Sequence, residues 1–107
     1  MVVRGKLRIC SGSRIRGSVK SEQTMVLEEG VSIEGSLISA TRMHVGPQCS
    51  IHGPVIAERG VYIATGTRCG SLEHPTTVSA PRIKVEEGVT VFGTLWAREV
   101  GRVVAKS

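Results

Sequence analysis

Residues 27–55, LEEGVSIEGSLISATRMHVGPQCSIHGPV, decide the fold because they contain the same pattern twice. Ile33 and Gly35 in the first copy correspond to Ile51 and Gly53 in the second, 18 positions later. Repetition at a fixed period is the signature of proteins that stack small structural units on one another. The stretch therefore predicts a repeat architecture with one unit for every 18 residues or so.

The same period extends over most of the chain. The apolar residues recur in four columns: Leu7, Met25, Met43 and Val61; Ile9, Leu27, Val45 and Ile63; Ile15, Ile33, Ile51 and Cys69; and Val19, Leu37 and Val55. One glycine column contains Gly17, Gly35 and Gly53, and a second contains Gly12, Gly30 and Gly66, with Gln48 in its third row. We therefore predict a single domain over 1–107, with a repeat core at about 5–105.

Each row of 18 divides into three sets of six, and each set offers two apolar or small residues separated by one polar residue. This alternation is that of a β-strand with one buried face. The chain contains neither Asp nor Asn, so the Asn-Gly and Asp-Gly turns typical of antiparallel hairpins are absent. The sequence thus predicts an all-β, single-stranded parallel β-helix (β-solenoid), triangular in section, with about six coils of 18 residues. The predicted core residues are Ile15, Leu27, Ile33, Val45, Ile51, Ile63, Val85 and Val91.

The register of the repeat slips once, by four residues, between Leu72 and Val78. We predict a surface loop over about 70–78, after which Ile83 and Val91 continue the apolar columns. A chance pattern would not recover its phase after an insertion. In this alignment the small residues Ser21, Ser39, Ala57, Ser79 and Ala97 share one column.

Neither end of the predicted solenoid has an obvious capping helix. Open strand edges pair readily with other chains, and solenoids usually need polar caps to remain soluble. We therefore predict that the ends form a polymerisation interface, although the C-terminal residues could instead only close the core. The predicted interface residues are Leu7 and Ile9 at the N-terminal end, with Val2 and Val3 beside them, and Phe92, Trp96, Val100 and Val103 at the C-terminal end.

The recurring Ile-x-Gly-x-Val/Leu element, as in 33–37, 51–55 and 91–95, follows a Leu/Val-x-x-Gly turn, as in 27–30 and 85–88. This combination resembles the bactofilin family of bacterial polymer-forming cytoskeletal proteins. The resemblance covers about residues 5–105. It implies a right-handed triangular β-helix that assembles end to end, without nucleotide, into non-polar filaments. It also implies a scaffold for cell-shape or polar-organising machinery, often at the inner membrane.

Composition limits the other functions. No apolar run approaches the about 18 residues of a membrane span, and no signal peptide is evident, so we expect a cytoplasmic protein. The three cysteines, Cys10, Cys49 and Cys69, have no paired spacing and are expected to be free thiols.

A net charge of +5 is compatible with a solvated basic face or with attraction to an anionic membrane or nucleic acid. The three aromatic residues form no stacking platform, and this makes nucleic acid an unfavoured partner.

The alternative function is that of a left-handed β-helix acyltransferase, a class that also uses six-residue repeats with an inward aliphatic side chain. His74 in the loop would be the catalytic base, with Glu73 as its partner carboxylate. That class prefers a small residue four positions after the aliphatic one, where this chain places larger residues such as Leu37 and Met43.

Cys49 and His52 have a spacing compatible with a metal, but Cys49 is predicted to point inward and His52 outward. We therefore expect no catalytic residue, no cofactor and no metal.

Overall fold

The computed structural model describes residues 2–103, with side chains described for 2–101. Seventeen short strands and no helix occur in this part of the chain. Because it contains no helix, it also contains none that could cross a membrane. The strands form three parallel sheets, so the predicted β-solenoid is confirmed.

The strands are numbered in chain order, and every third strand belongs to the same sheet. Sheet 1 contains β1 (Val2–Val3), β4 (Val19–Ser21), β7 (Leu37–Ser39), β10 (Val55–Ala57), β13 (Thr76–Ser79) and β16 (Gly93–Trp96). Sheet 2 contains β2 (Leu7–Ile9), β5 (Met25–Leu27), β8 (Arg42–Val45), β11 (Gly60–Ile63), β14 (Arg82–Glu86) and β17 (Glu99–Val103). Sheet 3 contains β3 (Arg14–Ile15), β6 (Ser32–Ile33), β9 (Ser50–Ile51), β12 (Arg68–Cys69) and β15 (Thr90–Val91).

The register of the sheets reproduces the columns of the sequence. Met25 pairs with Leu7 on one side and with Met43 on the other, each 18 positions away. In sheet 3, Ile33 pairs with both Ile15 and Ile51 at the same interval. Like side chains are therefore stacked on adjacent coils, which buries a continuous aliphatic core along the axis.

The core consists almost entirely of aliphatic residues from the inward positions of all three sheets. Of the predicted core residues, the buried ones are Leu27, Ile33, Val45, Ile51 and Ile63, and the ones partly buried against them are Ile15, Val85 and Val91. The second group lies in the first coil or towards the C-terminal end of the stack, where fewer coils cover each side chain. The molecule measures 31 × 29 × 25 Å, so the prism is about as wide as it is long.

The corner before sheet 3 requires a left-handed backbone. Gly12, Gly30, Gly66 and Gly88 occupy it with φ between 71° and 78°, a region that suits glycine. Gln48 takes the same position in the third coil with a φ of 58°. The glycine column of the sequence is therefore a conformational requirement, and one coil meets it with a residue that is strained there.

The insertion differs from the prediction in both length and register. The loop predicted over 70–78 is shorter, because β13 already begins at Thr76. Val55 pairs with Val78, 23 positions away, whereas Val61 pairs with Ile83 at 22 and Val78 pairs with Leu95 at only 17.

The placement of Ser79 in the small column was consequently wrong. Ser79 pairs with the outward residue Ile56, and the buried small residue that follows in the chain is Ala80. The hydrogen-bond ladder and the burial of Val78 set this register, since a slip of one residue exchanges the inward and outward faces of a strand.

Candidate polymerisation surfaces

The C-terminal end of the solenoid consists of β15, β16 and β17. Each of these strands has a neighbour on one side only within the described part of the chain. A strand with a single neighbour leaves a row of backbone donors and acceptors available to another chain. The C-terminal end is thus a surface, called the platform below, in which the unpaired edges of β15, β16 and β17 surround the last layer of the core.

Apolar side chains are exposed on this platform. Leu95 and Val100 are 37% and 51% exposed, although they pair with the fully buried residues Val78 and Ile83 of the preceding coil. They are therefore inward residues of the last described coil, and no other described coil covers them. Trp96 is 71% exposed and pairs with Ser79, which places it on the outer side of sheet 1.

The other two C-terminal interface residues have different surroundings. Phe92 follows β15 and is only half-buried, and its backbone carbonyl accepts a hydrogen bond from Thr76 N–H at 2.8 Å. Val103 ends β17 opposite Glu86, and its side chain lies outside the described residues. Of the residues predicted for the interface at this end, Trp96 and Val100 are the exposed ones, and Leu95 is exposed beside them.

The N-terminal end consists of β1, β2 and β3, which also have one neighbour each. Val2 in β1 is exposed and Leu7 in β2 is half-buried. Ile9 is not available as an end-surface residue, because it is only 5% exposed and belongs to the core. Its inward position over Leu27 explains this difference from the prediction.

The N-terminal coil is rich in basic residues. Six basic residues precede the first acidic one, and they are Arg4, Lys6, Arg8, Arg14, Arg16 and Lys20. Arg8 Nε lies 3.1 Å from Glu28 Oε2 in the next coil. Across the side chains described, no other cation of this group forms an ion pair, so the N-terminal face is strongly positive.

The proposed catalytic pair of the alternative function is exposed in the loop. His74 N–H donates to Ser71 Oγ at 3.1 Å and the His74 carbonyl accepts from Ser71 N–H at 3.0 Å, which closes a tight turn. Between residues 2 and 101, no hydrogen bond or ion pair joins the side chains of His74 and Glu73. The contacts described for His74 are thus those of its backbone within the turn.

The three cysteines differ in burial. Cys10 is exposed, whereas Cys49 and Cys69 are buried, and all three are free. Burial raises the pKa of the Cys69 thiol to about 12, and burial also raises the pKa of Cys49. Cys49 Sγ contacts the Glu28 carbonyl oxygen at 3.1 Å, while His52 is exposed, so these two side chains lie on opposite sides of the coil wall.

The sequence pattern could have identified Leu95, which the predicted interface omitted. Leu95 continues the inward column of Val19, Leu37 and Val55 into the last coil, and an inward residue there is exposed by its position alone. The exposure of Leu95 can therefore be predicted from two things, its inward column and its place in the last coil.

Comparisons with protein-family models, with curated proteins and with solved structures gave no match. The class of protein is therefore defined by the fold and by the surfaces at its two ends. The part of the chain that the structure describes is a β-solenoid of repeated coils, and at both of its ends strand edges are unpaired and apolar side chains are exposed.

Proposed function

We propose that this protein is a self-assembling structural protein whose copies join end to end into filaments. The observation that carries the proposal is the position of the large exposed apolar side chains. Four of six lie at the two ends, namely Val2, Leu95, Trp96 and Val100. Contact between ends covers the inward residues Leu95 and Val100 and pairs the open strand edges in one step. Val2 and Trp96 are on the outer side of sheet 1 and border this contact.

The geometry of the ends supports an extended polymer. The two open faces lie at opposite ends of the stack, because β1 to β3 and β15 to β17 terminate the same three sheets. Contacts made at both ends of a short prism extend it along its axis and do not close into a ring, whether like or unlike ends meet, and repeated contacts of this kind produce a filament. The resemblance to bactofilins supports the same function and implies non-polar filaments that form without nucleotide.

The cellular role follows from the same resemblance. The filament scaffolds cell shape or the localisation of partners in the cytoplasm, with the inner membrane surface or the cell-wall machinery as candidate partners. The protein is not an enzyme and uses no cofactor in this proposal. His74 is exposed, and no described hydrogen bond or ion pair joins it to the Glu73 side chain, so this loop adds no support for the acyltransferase alternative.

The test compares two substitutions of an apolar residue by lysine. Leu95 and Ile56 are 37% and 39% exposed, but Leu95 lies in the last coil and Ile56 lies on the side wall. We expect Leu95→Lys to abolish pelleting of the protein on ultracentrifugation, because the joint would then bury an unpaired charge. Ile56→Lys should pellet like the unchanged protein.

Circular dichroism of both variants provides the control for folding. Pelleting of Leu95→Lys in the same amount as the unchanged protein would remove the C-terminal end from the interface. Loss of pelleting in Ile56→Lys alone would show that copies associate through their side walls.

A further inference from the structure

A groove of about 360 Å³ lies on the outer face of sheet 2, where this sheet meets sheet 1. Four of the residues that line it are cationic, namely Arg42, Arg59, Arg82 and Lys84. Gly60 lies between them. This set is called the basic groove below, and it lies away from both ends of the solenoid.

The register of the coils explains why the cations converge. Arg42 pairs directly with Gly60, and Arg82 occupies the equivalent position on the next coil, with its carbonyl oxygen 3.4 Å from where a Gly60 Cβ would be. Arg42 and Arg82 are therefore two coils apart, about 10 Å along the axis. Because Gly60 has no side chain, a notch with a backbone floor separates the two arginines. Arg59 precedes Gly60 and borders the notch from the corner.

The positive charge of the groove is only partly compensated. Among the side chains described, Arg42, Arg59 and Lys84 form no ion pair. Arg82 Nε lies 3.4 Å from Glu99 Oε2, but both side chains are exposed and such a pair is weak.

The Glu86 carboxylate also lies on sheet 2, but it is hydrogen-bonded to other groups and, among the described side chains, does not pair with the arginines of the groove. It accepts hydrogen bonds from the Tyr62 hydroxyl and from Thr65 N–H, and these bonds lower its pKa. The Tyr62 ring stacks on His44 with centroids 5.0 Å apart, which fixes one wall of the groove. Glu86 is thus ionised and engaged, while Arg42 and Arg59 are unpaired among the described side chains and Arg82 has only its exposed pair with Glu99.

We propose that the basic groove binds a phosphate-bearing anion. Guanidinium groups present paired N–H donors that match the oxygens of phosphate, and several of them around one notch favour a ligand with more than one negative charge. The phosphate can belong to a free anion or to a lipid headgroup, since both offer the same oxygens. Because the groove lies on the side wall, each copy would keep it accessible in an end-to-end filament, and many grooves would then act together.

The experiment measures the binding of sodium pyrophosphate by isothermal titration calorimetry and the binding of vesicles by co-sedimentation. The vesicles contain either phosphatidylglycerol with phosphatidylcholine or phosphatidylcholine alone. Arg42→Gln and Arg59→Gln are compared with Arg68→Gln, which removes the same charge from sheet 3. We expect each groove variant to lose about tenfold in affinity, while Arg68→Gln changes it less than about twofold.

A fourth variant, Gly60→Glu, places a carboxylate in the notch, where the added Cβ has room. It should abolish binding with an unchanged circular dichroism spectrum. Pyrophosphate binding that depends on the groove supports a free phosphate ligand, and vesicle binding alone with the same dependence supports a lipid headgroup. The proposal is overturned if neither probe binds, if Arg68→Gln loses as much affinity as the groove variants, or if a glutamate-rich peptide binds the groove more tightly than both probes.

Discussion

Gln48 shows how strictly the coil geometry acts on a single residue. In the described chain it is the one non-glycine residue with a positive φ, and it stands in a column otherwise filled by Gly12, Gly30, Gly66 and Gly88. A left-handed conformation costs an ordinary residue about 1–2 kcal/mol. Glycine avoids that cost but loses about 0.5–1 kcal/mol in backbone entropy. The difference between these two terms determines what a substitution should do.

We predict that Gln48→Gly stabilises the protein by up to about 1 kcal/mol, because the relief of strain exceeds the entropy cost. The measurement is the free energy of unfolding from urea titration. Gln48→Ala is the matched control, since it removes the side chain and keeps the strain. An equal gain in stability for Gln48→Ala would show that the side chain of Gln48, and not its backbone, is unfavourable.

At the scale of the element, adjacent coils approach closely at the column of Gly17, Gly35 and Gly53. These glycines have an ordinary φ, so their conformation does not require glycine. A Cβ added at Gly53 would lie 2.4 Å from the Gly35 carbonyl oxygen, whereas a Cβ added at Gly17 would meet nothing within 4 Å. The column is therefore a packing requirement that disappears at the N-terminal end.

This difference provides a matched pair of substitutions. We expect Gly53→Ala to destabilise the protein by about 1–3 kcal/mol, as overpacking of a rigid interior does. Gly17→Ala should be nearly neutral, since the added methyl group enters open space. Thermal unfolding of the two variants measures the effect. Equal melting temperatures would mean that the coils separate locally at little cost and that the close contact is not structurally important.

The strands before the insertion were predictable and those after it were predictable only in part. From Leu7 to Cys69 each inward residue has a partner of the same kind 18 positions away, so the period alone sets the register. After the insertion the period gives the columns to within one residue. The choice between Val78 and Ser79 for the inward face then depends on hydrogen bonding around the corner, which a pattern of apolar residues does not contain.

At the scale of the whole molecule, the end surfaces can be located only when the coils are counted. A list of apolar residues alone does not show which of them lie in the first or the last coil. The pattern placed Trp96 and Val100 at the C-terminal end, where both are exposed. It gave the same role to Ile9, which the core buries. The basic groove was not evident in the sequence, because its cations come from three coils and converge only through the register across Gly60.

The charge of the N-terminal face leads to a prediction about salt. Non-polar filaments must join two N-terminal ends, and each brings a first coil, from β1 to the residue before β4, with five cations and no acidic residue. The repulsion extends about 30 Å at 10 mM salt and about 8 Å at 150 mM. We therefore expect the pelleted fraction of the protein to rise over this range. The double variant Arg14→Gln/Arg16→Gln should show a weaker dependence on salt. A pelleted fraction that falls with salt would indicate a joint between oppositely charged surfaces.

Electron microscopy of the purified protein in negative stain, at moderate salt and without nucleotide, tests end-to-end assembly most directly. We predict uniform filaments about as wide as the 25–31 Å dimensions of one molecule, with no dependence on added ATP or GTP. Discrete particles of one size over a wide range of protein concentration would contradict the proposal, since two open ends that do not associate are not a polymerisation interface.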